Sequence, residues 1–317
     1  MRHAFYPVAS SLDGRYSMDV TKTGETLIGA YPREIQNVHF SLGLACTFAC
    51  GHCPVNEREG IAARYESVSK ELGIDLGNPI RYTDPELVAA SLDILSGTEQ
   101  IGLGCGGGEP LMHPQYEMII NTSRDFFAAR AERVPSEERL FWWTRPLDYN
   151  SAKGRTADVH RGGRVVVFTN AVRMPQDRKN LKQYLLEHPF VTFEVSYDGF
   201  HEESYRQHGL DLRTMISHLD ALAGDEDVRS AGVQIYLFHV GNERADALER
   251  TFPHCLVDIS SVVKFTPEAP GGRAMRRGRL ERHVISDSQG NIFHSFNDVY
   301  SGNLARLCGK IRNTRSE

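Results

Sequence analysis

Short apolar runs alternate with longer amphipathic stretches along most of the chain, the pattern of parallel strands joined by crossover helices. Val38 to Leu44 (VHFSLGL) reads as a first strand. Asp84-Pro85, an N-cap followed by proline at the first helical position, predicts a helix running through ELVAASLDIL to a stop at Gly97. Gln100 to Gly104 gives a second strand, Gln115 to about Arg130 a helix, and Arg164 to Thr169 (RVVVFT) a third strand. Pro175 to Glu187 reads as a helix and Val191 to Tyr197 (VTFEVSY) as a fourth strand, with helical stretches at His201 to Gln207 and Leu212 to Leu222. Val233 to Val240 (VQIYLFHV) is a fifth strand, Glu243 to Thr251 a helix, and Leu256 to Phe265 a sixth strand. About six strand–helix units thus fall between residues 37 and 265. The expectation is an α/β fold, either an open doubly wound sheet or a partial (β/α)6 TIM-like barrel related to the eight-unit barrel of about 250 residues.

Three segments lie outside this rhythm. Residues 1–36 form an N-terminal extension. Residues 132–163, with Pro135, Trp142, Trp143 and Pro146, exceed the usual connection of about 2–6 residues and read as an inserted lid or surface loop. Residues 266–317 open with a Pro/Gly-rich stretch (TPEAPGGRA), and within them Val284 to Phe293 reads as a hairpin around Ser288-Gln289-Gly290-Asn291. This last region is expected to be a C-terminal cap over the open end of the barrel.

Composition narrows the class. The 317 residues carry 36 Lys plus Arg against 41 Asp plus Glu, a net charge of -5 that argues against a general nucleic-acid or membrane-surface binder. No stretch approaches the roughly 20 apolar residues of a membrane span, and the first residues lack the apolar core of a secretory signal. A soluble, cytoplasmic enzyme acting on a small molecule is expected. Six cysteines are too few for a disulfide scaffold, and three of them, Cys46, Cys50 and Cys53, crowd into one loop, which in a reducing compartment points to a metal or cluster.

The spacing C-x-x-x-C-x-x-C (ACTFACGHCPV) lets three thiolates hold a four-iron four-sulfur cluster by three of its irons. Zinc is the competing ligand and would want a fourth protein donor, for which His52, beside Cys53, is poorly placed; unliganded thiols are the third possibility. Residues 102–109 (GLGCGGGE) contain a formal G-x-G-x-x-G at Gly102, Gly104 and Gly107. A dinucleotide site would need a helix to start there, whereas the chain continues Glu109-Pro110-Leu111-Met112-His113-Pro114, so Gly107 to Pro110 is better parsed as G-G-E-P at a strand's carboxyl end. On the fourth strand Thr192, Glu194, Ser196 and Asp198 share one face. Buried polar groups there demand hydrogen bonds, and strand carboxyl ends line ligand sites in such folds. His239 is a weaker candidate, with a structural role equally open.

The cysteine loop after the first strand, followed by GGEPLMHP after the second, resembles the signature of the radical S-adenosylmethionine (radical SAM) superfamily. The resemblance implies that Cys46, Cys50 and Cys53 ligate one 4Fe-4S cluster, whose open iron chelates the methionine moiety of S-adenosyl-L-methionine (SAM). It implies that His52 contacts adenine and that Gly107, Gly108, Glu109 and Pro110 hold the methionine ammonium, for which a carboxylate acceptor is the expected partner. Ser196 and Asp198 fall where relatives approach the ribose and substrate. Thr169-Asn170 is similar to the family's T-N-G, with Ala171 in place of the glycine. Arg273, in PGGRA, is similar to a turn of relatives with carboxy-terminal extensions; the nearby Arg276, Arg277 and Arg279 could neutralise a phosphate or simply face solvent.

The segment ISDSQGNIFHSFNDVYSGNL resembles a SPASM or twitch extension, but His294 stands where the first auxiliary cysteine would be and only Cys308 follows, so a single cluster is expected. Cys308 first, and Cys105 second, are then candidate hydrogen-atom donors for a redox-neutral epimerase, against the alternative of buried inert thiols. Cys255 begins the sixth strand, away from the chemistry. The family's chemistry is reductive SAM cleavage to a 5′-deoxyadenosyl radical that abstracts hydrogen from a substrate C–H, fed by a flavodoxin- or ferredoxin-type electron donor. Peptide-modifying members often carry a leader-binding module of about 80 residues, a size typical of small domains. With 36 residues before the first strand, a sugar, aminocyclitol, nucleoside or amino-acid derivative is the expected substrate and a short peptide the alternative. An iron–sulfur redox sensor and a zinc-stabilised binding protein are the readings from other classes.

Overall fold

Asp84 accepts a hydrogen bond from the Glu86 N–H at 2.9 Å, and with Pro85 at the first position it starts a helix as its chemistry dictates. The same rule, a side-chain oxygen satisfying an orphan N–H, opens two further helices. Asp177 accepts from Asn180 N at 2.9 Å, and Asp211 accepts from Thr214 N at 2.7 Å. The computed structural model describes residues 5–11, 13–21, 35, 37–48, 53–104, 107–131, 145–147, 157–159, 164–197, 201–240, 245–260, 283–293, 307 and 309–314. The fold is α/β with mostly parallel strands, as in a partial TIM-like fold, and it divides into two compact units.

The first unit comprises Met1–Cys46, Gly51–Ser123 and Lys264–Glu317. Its strands are β1 (Phe5–Ser10), β2 (Tyr16–Thr21), β3 (Asn37–Phe40), β4 (Gln100–Leu103), β11 (His283–Ser286), β12 (Asn291–Phe293) and β13 (Gly309–Asn313). They lie in the order β1-β2-β13-β12-β11-β3-β4. β3 pairs in parallel with β4 on one side and β11 on the other, while β11, β12, β13, β2 and β1 follow as antiparallel neighbours. Residues from the N-terminal extension and the C-terminal region therefore continue one sheet. The expected hairpin is β11–β12: the Asp287 carboxylate accepts from Gln289 N and Asn291 N, both at 2.9 Å, and the Asn291 amide reaches across to Leu76 O at 2.8 Å. Burial pushes the Asp287 carboxyl up, and the bonds from Asn291 and Gln289 oppose the shift.

Its helices are α1 (Arg58–Leu72) and α2 (Pro85–Ile94), with the first half of α3 (Tyr116–Ala131), which belongs to this unit only as far as Ser123. The periodicity predicts no element at α1, because its apolar stripe is reduced to Ile61, Tyr65 and Val68. Ile61 and Tyr65 nevertheless join Leu44, Val55, Leu76, Ile285, Phe293 and Leu307 in one buried cluster, and Gly73 ends the helix in the left-handed conformation at φ 68°. The first strand is shorter than the VHFSLGL run predicts, since Gly43 turns the chain at φ 121° and Leu42 O is taken by Thr83 N at 3.2 Å.

The second unit comprises Thr47–Cys50 and Arg124–Val263. β7 (Arg164–Thr169), β8 (Val191–Tyr197), β9 (Gln234–Val240) and β10 (Leu256–Ser260) form its parallel array in sequence order. Val165, Val166, Val167, Val191, Phe193 and Val195 are all nearly inaccessible, and in β7 the three consecutive valines make the apolar run of a strand covered on both faces. α4 (Arg178–Glu187), α5 (His201–Gln207), α6 (Leu212–Ala223), α7 (Glu226–Ser230) and α8 (Ala245–Thr251) provide the crossovers, and α6 buries Leu212, Met215, Ile216, Leu219 and Leu222 at helical spacing. Within the 132–163 insertion, β5 (Arg145–Leu147) and β6 (Ala157–Val159) form an antiparallel pair. Among the described residues no helix is long and apolar enough to cross a membrane.

Candidate functional site

The sequence motifs are tied together first by backbone. In the first unit, β4 is followed by Gly104, whose N–H donates to Phe40 O at 2.9 Å, and at φ 80° the space of its missing Cβ is filled by the Pro110 ring. Gly108 adopts φ 75°, and a Cβ there would stand 2.1 Å from Gly43 O and 2.9 Å from Ala45 O. Glu109 N then donates to Ala45 O at 2.7 Å. The G-G-E-P segment thus packs on the three residues that precede Cys46, an approach that only glycine permits. Glu109 is buried, and one of its oxygens accepts from Leu111 N at 3.2 Å, capping the single 3-10 turn Pro110–Met112. The formal G-x-G-x-x-G has no phosphate-binding helix behind it, because α3 starts only at Tyr116.

His113 finishes the motif. Gln115 N donates to its Nδ1 at 3.0 Å, so the proton sits on Nε2, which donates to Thr83 O at 2.8 Å. Desolvation holds this imidazole below its ordinary pKa, partly opposed by the Thr83 bond. Its role is structural, and the sequence offers only the His-Pro pair as a signal.

Cys46 and Cys53 are half-buried thiols flanking the loop. Cys53 precedes the short turn Pro54–Glu57 that leads into α1, and Val55 N–H faces its sulfur. Burial pushes the Cys53 thiol up, while that N–H favours the thiolate. Soft thiols are the donor chemistry of an iron–sulfur cluster, and Cys46 and Cys53 fit that chemistry, Cys53 with a backbone N–H on its sulfur. Cys50 and His52 lie outside the described residues, among which no three His, Cys, Asp or Glu side chains are placed to hold a metal ion.

In the second unit, the two residues after Cys46 are held by the end of β7 and by α5. The Asn170 amide donates to Thr47 Oγ1 at 3.1 Å and accepts from Val172 N at 3.1 Å. Tyr205 donates its hydroxyl to Asn170 O, and His208 Nε2 donates to Thr47 O at 3.3 Å. Phe48 is buried, edge-on to Tyr205 at 5.5 Å and tilted against His208 at 5.7 Å. Ala171, where the resembling family has glycine, takes the left-handed conformation itself at φ 60°, with its N–H bonded to Thr169 Oγ1 at 2.9 Å. On β8, Thr192 and Glu194 are buried and Ser196, the last of this face within the strand, is half-exposed. Asp198 lies outside the described residues, as do Cys105, Cys308, Arg273 and His294, and the His239 side chain. Cys255 is buried with its N–H on Asp220 Oδ1 at 2.8 Å; burial first, then that carboxylate, pushes its thiol well up. Thr47, Tyr205 and His208 carry no spacing signal in the sequence, since their partners are distant along the chain.

No protein-family model matches the sequence, and no curated protein matches it. Among solved structures, the chain is similar to the crystal structure of BtrN in complex with AdoMet and 2-DOIA, at 10% identity and a TM-score of 0.39, over 87% of this chain and 78% of that one.

Proposed function

We propose that the chain is a radical SAM enzyme. The observation that carries this reading is the packing of Gly108 and Glu109 on Gly43–Ala45, directly before Cys46, which joins two motifs that are far apart in sequence and whose combination resembles that superfamily. Cys46, Cys50 and Cys53 would hold one 4Fe-4S cluster, and Gly107, Gly108, Glu109 and Pro110 the methionine end of SAM, with His52, Asn170, Ser196 and Asp198 serving its adenosine portion and the substrate. When bound, the reduced cluster supplies the electron that cleaves SAM to methionine and a 5′-deoxyadenosyl radical. The protein's own part is aim and exclusion of water: a buried carboxylate for an ammonium, on a segment whose glycine lets it pack against the backbone before Cys46. The substrate is a small sugar, aminocyclitol, nucleoside or amino-acid derivative, and the electron donor a flavodoxin or ferredoxin. For a redox-neutral epimerisation, Cys308 or Cys105 would give a hydrogen atom to the substrate carbon, and an electron from the flavodoxin or ferredoxin together with a proton would return the resulting thiyl radical to the thiol.

The test is anaerobic reconstitution with iron and sulfide, followed by reduction in the presence of SAM. The wild-type protein is expected to bind about four irons and to release 5′-deoxyadenosine, and Cys46→Ala to lose both. Colourless protein holding zinc, or colour without SAM cleavage, would overturn the reading.

A further inference from the structure

Resting on the cluster reading of the cysteine loop, we propose that Asn170, Tyr205 and His208 are positioning residues that fix this loop by grasping Thr47 and Phe48. Thr47 is held at two atoms from two directions. Its hydroxyl oxygen takes a hydrogen bond from the Asn170 amide at 3.1 Å, and its carbonyl takes one from His208 Nε2 at 3.3 Å. Phe48, the next residue, buries its ring against Tyr205 and His208, at centroid distances of 5.5 and 5.7 Å. Tyr205 closes the network by donating to Asn170 O, and Val172 N holds the far end of the Asn170 amide. The left-handed Ala171 fixes the turn on which Asn170 stands.

Such a network orients one loop residue at its side chain, its carbonyl and its neighbour's ring. A loop of three thiols that must meet one cluster needs this, because the thiols themselves supply no order before the cluster is bound. Each bond is worth roughly a two- to tenfold bias between held and released loop. None of the three residues is itself placed as a ligand.

The test uses the full-length chain, first without metal. The rate at which each cysteine reacts with a maleimide, read by mass spectrometry of peptides, reports loop opening. Thr47→Val removes the hydroxyl and Thr47→Ser keeps it; His208→Phe keeps the ring and His208→Gln keeps a donor. His208 is exposed, so its variants leave the core intact. Thr47→Val and His208→Phe are expected to speed labelling of Cys46, Cys50 and Cys53 roughly two- to tenfold, with buried Cys255 unchanged, the Ser variant like wild type, and the Gln variant, which keeps the donor but loses the ring against Phe48, slower to label than His208→Phe. After reconstitution, the same two variants are expected to show a broadened or shifted electron paramagnetic resonance signal, with Thr47→Ser restoring it.

Equal labelling rates across all variants would overturn the proposal, as would a rise shared by Cys255, which marks global loosening. Failure of the radical SAM reading shows separately, as wild-type protein without iron or 5′-deoxyadenosine, and leaves the labelling rates readable.

Discussion

Gly108 and Gly102 differ in what excludes a side chain, and the difference is measurable. At Gly108 the obstacle is backbone: a Cβ would meet Gly43 O at 2.1 Å, on a residue already at φ 75°. Nothing there can rotate away, so Gly108→Ala must push the G-G-E-P segment off the Ala45 carbonyl and break the Glu109 N–H bond. At Gly102 the obstacle is a side chain, His39 Nδ1 at 2.2 Å, on the residue paired with it across β3 and β4. Gly102→Ala is therefore expected to destabilise strongly alone and much less in a His39→Ala background, whereas His39→Ala does nothing for Gly108→Ala. Urea unfolding of the four variants and their parents checks this. Equal penalties for Gly102→Ala in both backgrounds would show that the two side chains do not compete for that space. Ala171 shows the converse case, a non-glycine residue accepting the left-handed region at a cost of about 1–2 kcal/mol where its backbone bonds hold it.

Elements built from one kind of residue on all sides were legible, and those held together by distant partners were not. β7 and β8 begin and end where the sequence pattern predicts: β7 is an unbroken Val-Val-Val-Phe run of the kind a strand covered on both faces needs, and β8 carries Val191, Phe193 and Val195 at every second position. α2 starts at its Asp-Pro signal. α1 has too thin a stripe to announce itself, and the turn after β4 is readable as G-G-E-P without revealing that His113 pins it. That pin gives an element-scale prediction. Because the folded imidazole sits below its ordinary pKa, it contributes stability that is fully present above about pH 6.5 and is lost as the pH falls through the folded value. Protonating Nδ1 also breaks the bond from Gln115 N. His113→Gln, which keeps a donor for Thr83 O and does not titrate, is expected to melt below wild type at about pH 8, with the gap narrowing from about pH 6.5 downward. A gap that stays constant through that range would remove His113 from the pH response.

At the scale of the whole chain, the first unit joins the two ends of the sequence in one sheet, and no local pattern foretells this. β2 (YSMDVT) and β13 (GKIRN) are short and mixed in polarity, and each is specified by the other. Ile311 pairs with Met18 across the antiparallel register; both are almost wholly buried, and Arg312 Nη2 meets the buried Asp19 carboxylate at 2.5 Å alongside. The candidate site is legible in the same uneven way. Cysteines and glycines declare themselves by spacing, while the partner of Thr47 Oγ1 lies 123 residues away, where spacing carries no information. The terminal pairing is tested by a double-mutant cycle. Met18→Ala and Ile311→Ala should each cost about 2–5 kcal/mol, as truncations in a well-packed core do. Since each removes the other's partner, the double variant should lose less than the sum by about 0.5–3 kcal/mol. Urea midpoints at constant slope give all three values. Losses that add to within about 0.5 kcal/mol would mean that Met18 and Ile311 stabilise the chain independently and would remove the coupling across β2 and β13.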